Sequence, residues 1–144
     1  MALNVEHLNR TVATLAQALQ AIEQHPASGD DVMFDLYRNA AIKSFELSLE
    51  TAGKLLRKAL KAFEANPRTV DGWVFNDVLR HAGKHGLLSS DEVERWLAYR
   101  ANRNNTAHDY GEGFANDTLK LLPTYLQDVR ALASALQKVF DASA

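Results

Sequence analysis

The residues best equipped for chemistry fall in one short stretch, Tyr99-Arg100-Ala101-Asn102-Arg103-Asn104-Asn105-Thr106-Ala107-His108-Asp109-Tyr110. Arginine offers a fixed fork of donors that can hold a phosphate and stabilise charge developing on it. Histidine gives and takes protons near neutral pH, and the C-terminal turn of a helix favours its protonated form. Together, Arg103 and His108 are suited to cleaving RNA without a metal; the alternative is a structural role, with His108 capping a carbonyl and Arg103 pairing with a nearby Glu. Arg103 would bind the scissile phosphate, and His108 would act on the 2′-hydroxyl or on the leaving oxygen. One histidine supplies one acid–base group, so a two-fold dimer apposing two such motifs would supply both.

The element that must position these residues is the helix that begins around Glu92 and carries Val93, Trp96 and Leu97, capped by Ser89, Ser90 or Asp91. Asn, Thr and His are poor helix formers, each costing up to about 0.7 kcal/mol relative to Ala. On one reading the helix has already stopped and the motif is a polar loop. On the other it continues to Gly111 and Gly113. Steps of four and three from Val93 then reach Leu97, Ala101, Asn104 and His108, while Trp96, Arg100, Arg103, Ala107 and Tyr110 run beside them. A polar seam where a core should be is expected at a functional groove or a symmetric interface.

Composition fixes the class of the scaffold. Ala (22) and Leu (20) dominate, whereas Val and Ile together number 11, and no stretch alternates apolar with polar residues. The expectation is an all-α chain. A first helix carries Leu8, Val12, Leu15, Leu19 and Ile22 and ends at His25-Pro26-Ala27-Ser28-Gly29. A second, capped by Asp30 or Asp31, reaches about Asn66. It is apolar on two rows: Ile42, Phe45, Leu49, Ala52, Leu56 and Phe63, and beside them Leu36, Ala40, Leu47, Leu55 and Leu60. A third, shorter helix runs from about Asp71 through Trp73, Val74, Val78 and Leu79 to Gly83 or Gly86. The last spans Phe114 or Ala115 to about Phe140, with Leu122, Leu126, Val129, Leu132, Leu136 and Val139 inward and a kink at Pro123. This makes an up-and-down four-helix bundle with one additional short helix, a single domain over residues 1–144.

The same counting removes several classes. The absence of cysteine excludes disulfide scaffolds, thiolate zinc sites and cysteine nucleophiles. No apolar run approaches the roughly 20 residues of a membrane span, and no signal peptide pattern is present, so a cytoplasmic protein is expected. Sixteen Lys and Arg against eighteen Asp and Glu give a net charge of −2, so any RNA contact must come from a local patch. Neither a glycine-rich phosphate loop nor an Asp-x-Asp pair occurs, so no nucleotide-transfer site and no cofactor are expected.

Other polar residues bear on the motif. Glu46 and Glu50 stand one turn apart, and Glu50 precedes Lys54 at i, i+4. Either they form a solvated face with an ordinary ion pair, or one faces the cleft and orients Arg103. His81 and His85 have the i, i+4 spacing of a metal-binding face, but no third ligand stands nearby in the sequence, and His7 and His25 show no partner pattern. No metal site is expected. Arg57, Lys58 and Lys61 read as a solvated basic face, with contact to RNA as the alternative.

The run Arg103-Asn104-Asn105-Thr106-Ala107-His108-Asp109-Tyr110 resembles the Arg-x4-His-x-Tyr signature of HEPN-domain proteins, in particular the HepT-like toxins encoded beside a minimal nucleotidyltransferase. Phe45-Glu46, Glu50 and Lys54 are similar to the central helix of the group called nucleotidyltransferase substrate-binding proteins. So are Asn66-Pro67-Arg68, Gly86-Leu87-Leu88 and Trp96-Leu97, and the likeness covers about residues 36 to 135. It implies a HEPN-like homodimer with metal-independent ribonuclease activity, in which Arg103 and His108 are catalytic and Asn104 is the adjacent polar residue; Arg100, Glu46 and Glu50 are supporting candidates from their own positions in the sequence. It also implies that a nucleotidyltransferase antitoxin transfers AMP to Tyr110, adding bulk and negative charge where RNA phosphates must enter. The other role implied by the group is a non-catalytic subunit that presents substrate to the nucleotidyltransferase. The stretch from Val70 to Arg80 departs from the group's pattern in being bulkier and in containing Gly72.

Overall fold

The computed structural model describes residues 5–25, 32–106 and 112–142. Among them there are six α-helices and no strand, so the all-α expectation holds, with one helix more than the five expected. The apolar spacing of the first segment turns Leu8, Val12 and Leu15 inward on α1 (Glu6–Gln24). The breaker residues after His25 and the caps expected at Asp30 and Asp31 lie outside the described residues.

Helix α2 (Val32–Leu60) is central and packs against α1, α4 and α6. Phe45, Leu49, Ala52 and Leu56 are buried along it, as their spacing predicts. The second apolar row divides. Leu55 and Leu60 are buried, whereas Leu36 and Leu47 are 57% and 39% exposed, because no described element covers that face of the helix's first half.

The chain beyond α2 corrects two expected boundaries. α2 stops at Leu60 and gives way to a 3-10 turn, Lys61–Phe63, after which Glu64 is extended. Phe63 finds no core to enter and is 43% exposed. A single-turn helix, α3 (Arg68–Asp71), follows Pro67, whose fixed φ suits a helix start. Arg57 donates from Nη1 to the Val70 carbonyl at 3.1 Å, and Lys61 Nζ meets Asp71 Oδ1 at 2.9 Å. Two members of the expected solvated basic face thus tie α3 to α2 and to the 3-10 turn, and Lys58 alone matches that reading.

Helix α4 (Phe75–Lys84) starts later than Asp71, since Trp73 and the extended Val74 precede it. It ends in a Schellman turn: the Leu87 N–H reaches the Ala82 carbonyl at 2.9 Å and the Gly86 N–H that of Gly83 at 3.2 Å. Gly86 has φ +78°, the left-handed conformation that only glycine adopts cheaply. Helix α5 (Ser90–Thr106) opens with a reciprocal capping box, in which the Glu92 N–H donates to Ser89 Oγ at 3.1 Å and the Ser89 N–H to Glu92 Oε1 at 2.9 Å.

Helix α6 (Glu112–Ala142) begins slightly earlier than expected and includes Gly113, a residue expected to terminate the preceding helix. It runs through Pro123, an exposed position, where the missing N–H removes one hydrogen bond of the helix. Leu122, Val129, Leu132 and Leu136 are buried, joined by Tyr125 and Asp128, while Leu126 and Val139 are half-buried. Among the described residues no helix is long and apolar enough to cross a membrane.

The Schellman turn sets a test of how α4 is stopped. Replacing Gly86 with Ala (Gly86→Ala) is expected to lower stability by about 1–2 kcal/mol through the left-handed φ. Gly72, at φ −85° with its nearest contact 3.6 Å from an added Cβ, is the control. Gly72→Ala is expected to leave stability unchanged or raise it by about 0.4–1 kcal/mol. Urea unfolding followed by circular dichroism reads both.

Candidate functional site

The position of α5 is set from α6. Asp128 is only 5% exposed, and a carboxylate so placed must be paired. Arg95 grips it with both edges of its fork, Nε to Oδ2 at 2.8 Å and Nη2 to Oδ1 at 2.9 Å, and the Tyr99 hydroxyl donates to Oδ2 at 2.5 Å. Burial pushes the Asp128 carboxyl up, but the Arg95 and Tyr99 hydrogen bonds outweigh it and hold the group below its ordinary range. Burial, then the hydrogen bond to Asp128, push the Tyr99 phenol well above its ordinary value.

An aromatic junction surrounds this network. The Tyr99 ring meets Tyr125 edge-on at 5.0 Å, and Tyr125 meets Phe45 of α2 edge-on at 4.8 Å. The Tyr125 hydroxyl and Ser48 Oγ share a hydrogen bond of 2.6 Å, so α2, α5 and α6 meet through polar contacts set among aromatic rings.

Arg95, Tyr99 and Arg103 follow one another at i, i+4 and i+8 and so share a row of α5. At the end of that row Arg103 Nη2 reaches Glu46 Oε2 of α2 at 3.5 Å, with both side chains partly exposed. A pair of this exposure adds little to stability. Its effect is positional: it holds the guanidinium toward α2.

Arg100 lies one step around the helix, its guanidinium over the Phe75 ring at 4.8 Å. That ring occupies the space left by Gly53 of α2, where an added Cβ would collide with Phe75 Cε2. Asn102 accepts a hydrogen bond from the buried Thr118 at 3.3 Å.

The helix therefore continues through Arg103 and Asn104, as the second reading of the motif required, but its inward row is not the one expected. Trp96 and Tyr99 are buried and Arg100 and Arg103 half-buried, whereas Ala101 and Asn104 face solvent in the single chain. Of the candidate residues, Arg103 and Glu46 are brought together with Arg100 close by. Glu50 turns away and pairs with Lys54 at 3.3 Å on the exposed face. His108 and Tyr110 lie outside the described residues.

Asp128 and its partners were missed in the sequence. The available signal was a charge three residues after Tyr125 and four before Leu132, within the inward stripe of α6. A second polar cluster was also missed: Glu64 joins His81 and His85 and supplies the third potential metal ligand that the sequence spacing lacked.

The lowered Asp128 carboxyl makes a pH prediction. A group depressed in the folded state contributes stability above the ordinary carboxylate value near about 4, and that stability is lost as pH falls through its folded value. Wild type is expected to lose stability on acidification below about pH 4. Asp128→Asn is expected to start from a lower denaturation midpoint at neutral pH and to show a flatter acid limb. Chemical melts at stepped pH values measure both.

Similarity to known proteins accords with this architecture. The sequence pattern of the nucleotidyltransferase substrate binding protein like family matches residues 3–138. A Haemophilus influenzae protein named probable ribonuclease HepT is 33% identical over 72 residues, which are 50% of this chain and 48% of that protein. The match thus spans about half the length of that relative. A solved Haemophilus influenzae structure, described as revealing the fold of a substrate binding domain of a nucleotidyltransferase, superposes with a TM-score of 0.81 at 25% identity, covering 93% of this chain and 99% of that one. A Thermus thermophilus protein of solved structure does so with a TM-score of 0.72 at 26% identity, covering 90% and 98%. With its all-helical bundle and a family pattern matched almost end to end, the chain belongs to the nucleotidyltransferase substrate binding protein like family, consistent with the HepT-like group.

Proposed function

We propose that this protein is a cytoplasmic toxin of a two-component toxin–antitoxin pair, a metal-independent endoribonuclease silenced when a partner nucleotidyltransferase transfers AMP to Tyr110. The observation that carries the reading is the Arg103–Glu46 pair, which aims the first residue of the Arg-x4-His-x-Tyr motif from the last turns of α5. The relative named as a ribonuclease supports it further.

In this reading Arg103 binds the scissile phosphate and stabilises the charge that builds on its oxygens. His108 takes the proton from the 2′-hydroxyl, whose oxygen attacks phosphorus, and the bond to the 5′-oxygen breaks as that oxygen is protonated. The second proton-transfer group comes from the second copy in a two-fold dimer. The exposed Val32, Leu36 and Leu47 on α2, the last adjoining Glu46, offer an apolar face for such a copy. AMP on Tyr110 would add bulk and negative charge beside that cleft and repel the RNA backbone.

A second reading draws on the family description, a nucleotidyltransferase substrate binding protein. There the chain presents a substrate to its partner and cuts nothing itself.

Cleavage of RNA by the purified protein without added divalent ion separates the two. Arg103→Ala and His108→Ala are each expected to lower the rate by about 10²-fold or more. Glu46→Gln, which loosens Arg103 without removing it, is expected to cost less. Equal cleavage by wild type and His108→Ala, or none by either, would overturn the ribonuclease reading. Co-expression with the partner is expected to add an AMP-sized mass increment that disappears in Tyr110→Phe. A stable complex that alters nucleotidyl transfer regardless of His108, with no such increment, would favour the presenting subunit.

A further inference from the structure

Glu64, His81 and His85 come from separate parts of the chain. Glu64 stands in extended backbone, φ −105° and ψ 138°, just after the 3-10 turn. His81 is on the last turn of α4 and His85 closes that helix, its N–H still donating to the His81 carbonyl at 3.0 Å. That bond closes the final helical turn from His81 to His85, and the two residues stand at the i, i+4 spacing. One ligand atom from each of the three residues lies within 4.8 Å of the other two, and all three residues are half-buried.

Three further observations favour a cation in their midst. His81 Nδ1 and His85 Nε2 are buried and make no hydrogen bond. Among the described residues no ion pair joins Glu64 to either imidazole or to any lysine or arginine. Both rings are also held in orientation, His81 stacked on Trp73 at 3.6 Å and 2°, and His85 on Phe63 at 4.7 Å and 17°. Donors that converge without bonding one another, on rings fixed by packing, are what a metal site presents before the ion is counted.

The donor set selects the ion. Two neutral imidazoles and one carboxylate suit zinc and its transition-metal neighbours, whereas magnesium and calcium favour oxygen ligands. Ligand atoms about 2.1 Å from a tetrahedral zinc lie roughly 3.4 Å apart, so small side-chain rotations close the set. We propose that Glu64, His81 and His85 bind one zinc ion, with water as fourth ligand, and that the ion clamps the segment between α2 and α4 onto the end of α4. That segment has one fully buried residue, Val70, whose carbonyl takes the Arg57 hydrogen bond, while Phe63 and Val74 are exposed and α3 is a single turn. None of the three ligands belongs to the Arg103 site, so zinc binding is measured apart from the proposed RNA chemistry.

The test uses the untagged full chain, stripped with chelator. Calorimetric titration with Zn2+ is expected to give one ion per chain, and Co2+ is expected to give the visible bands of a four-coordinate nitrogen and oxygen site. Glu64→Gln, His81→Asn and His85→Asn are each expected to weaken binding about tenfold or more and to abolish the Zn2+-dependent rise in melting temperature. The double variant His7→Gln/His25→Gln is expected to bind as wild type does. Absence of saturable binding to wild type, or unchanged binding after Glu64→Gln and His81→Asn are combined, overturns the proposal. If a histidine variant loses its helical circular dichroism, the wild-type cobalt spectrum decides, and a spectrum of hexaaquo cobalt overturns the proposal.

Discussion

The buried carboxylate of Asp128 is the constraint on which the α5 site depends. A charge taken out of water is tolerated only where hydrogen-bond donors meet it, and here all the donors found come from α5, as the Arg95 fork and the Tyr99 hydroxyl. Two donors one turn apart on one helix, meeting one carboxylate on another, fix both the rotation and the axial register of α5. Arg103 follows two turns beyond Arg95 on the same row, so its approach to Glu46 is a consequence of where Asp128 sits. Apolar packing would not have specified this as tightly. Trp96 and Tyr99 are the buried large side chains of α5, and a sliding apolar contact tolerates rotations that a bidentate ion pair does not.

That dependence explains what was legible in the sequence. α1 and the first apolar row of α2 could be read because their core residues recur at the helical period and each alone points inward. The class of fold followed from the same regularity. The rotation of α5 could not be read that way, because a helix carrying both a Val93-Leu97-Ala101 row and a Trp96-Arg100-Arg103 row offers two plausible inner faces. The choice is made by a residue 33 positions away. Boundaries failed for a related reason: Phe63 fits the period of α2, yet the α-helix stops at Leu60, and Phe63 meets the His85 ring instead of the core. Local pattern proposes a helix, but tertiary contact decides how far it runs.

The Glu46–Arg103 pair also bears on the modest net charge of −2. A lone arginine on a near-neutral surface would attract phosphate weakly and hold it in many poses. Pairing with Glu46 lowers the local potential further, but it fixes the guanidinium in place, and little of the entropy of ordering a long side chain then remains to be lost on binding. A polyanion is compensated for the reduced field only where several such groups converge. Arg100, one step around the helix and braced on Phe75, extends the positive edge in the single chain, and a second copy would double it.

Helix α4 links this edge to the segment ahead of it. Its first residue, Phe75, fills the notch left by Gly53 and carries Arg100 on its ring, while its last turn and closing residue carry His81 and His85. A helix of ten residues is about 15 Å long and stiff over that length. A displacement of its C-terminal end is therefore transmitted to Phe75 rather than absorbed. Because a Cβ at position 53 would collide with the ring, Phe75 fits against α2 only in a narrow range of positions. Whatever orders Glu64 and the turns between α2 and α4 thus also sets the platform beneath Arg100. The bulkier stretch from Val70 to Arg80, which departs from the pattern of the group, builds that platform: Val70 accepts the Arg57 hydrogen bond, Trp73 covers His81, and Phe75 supports Arg100.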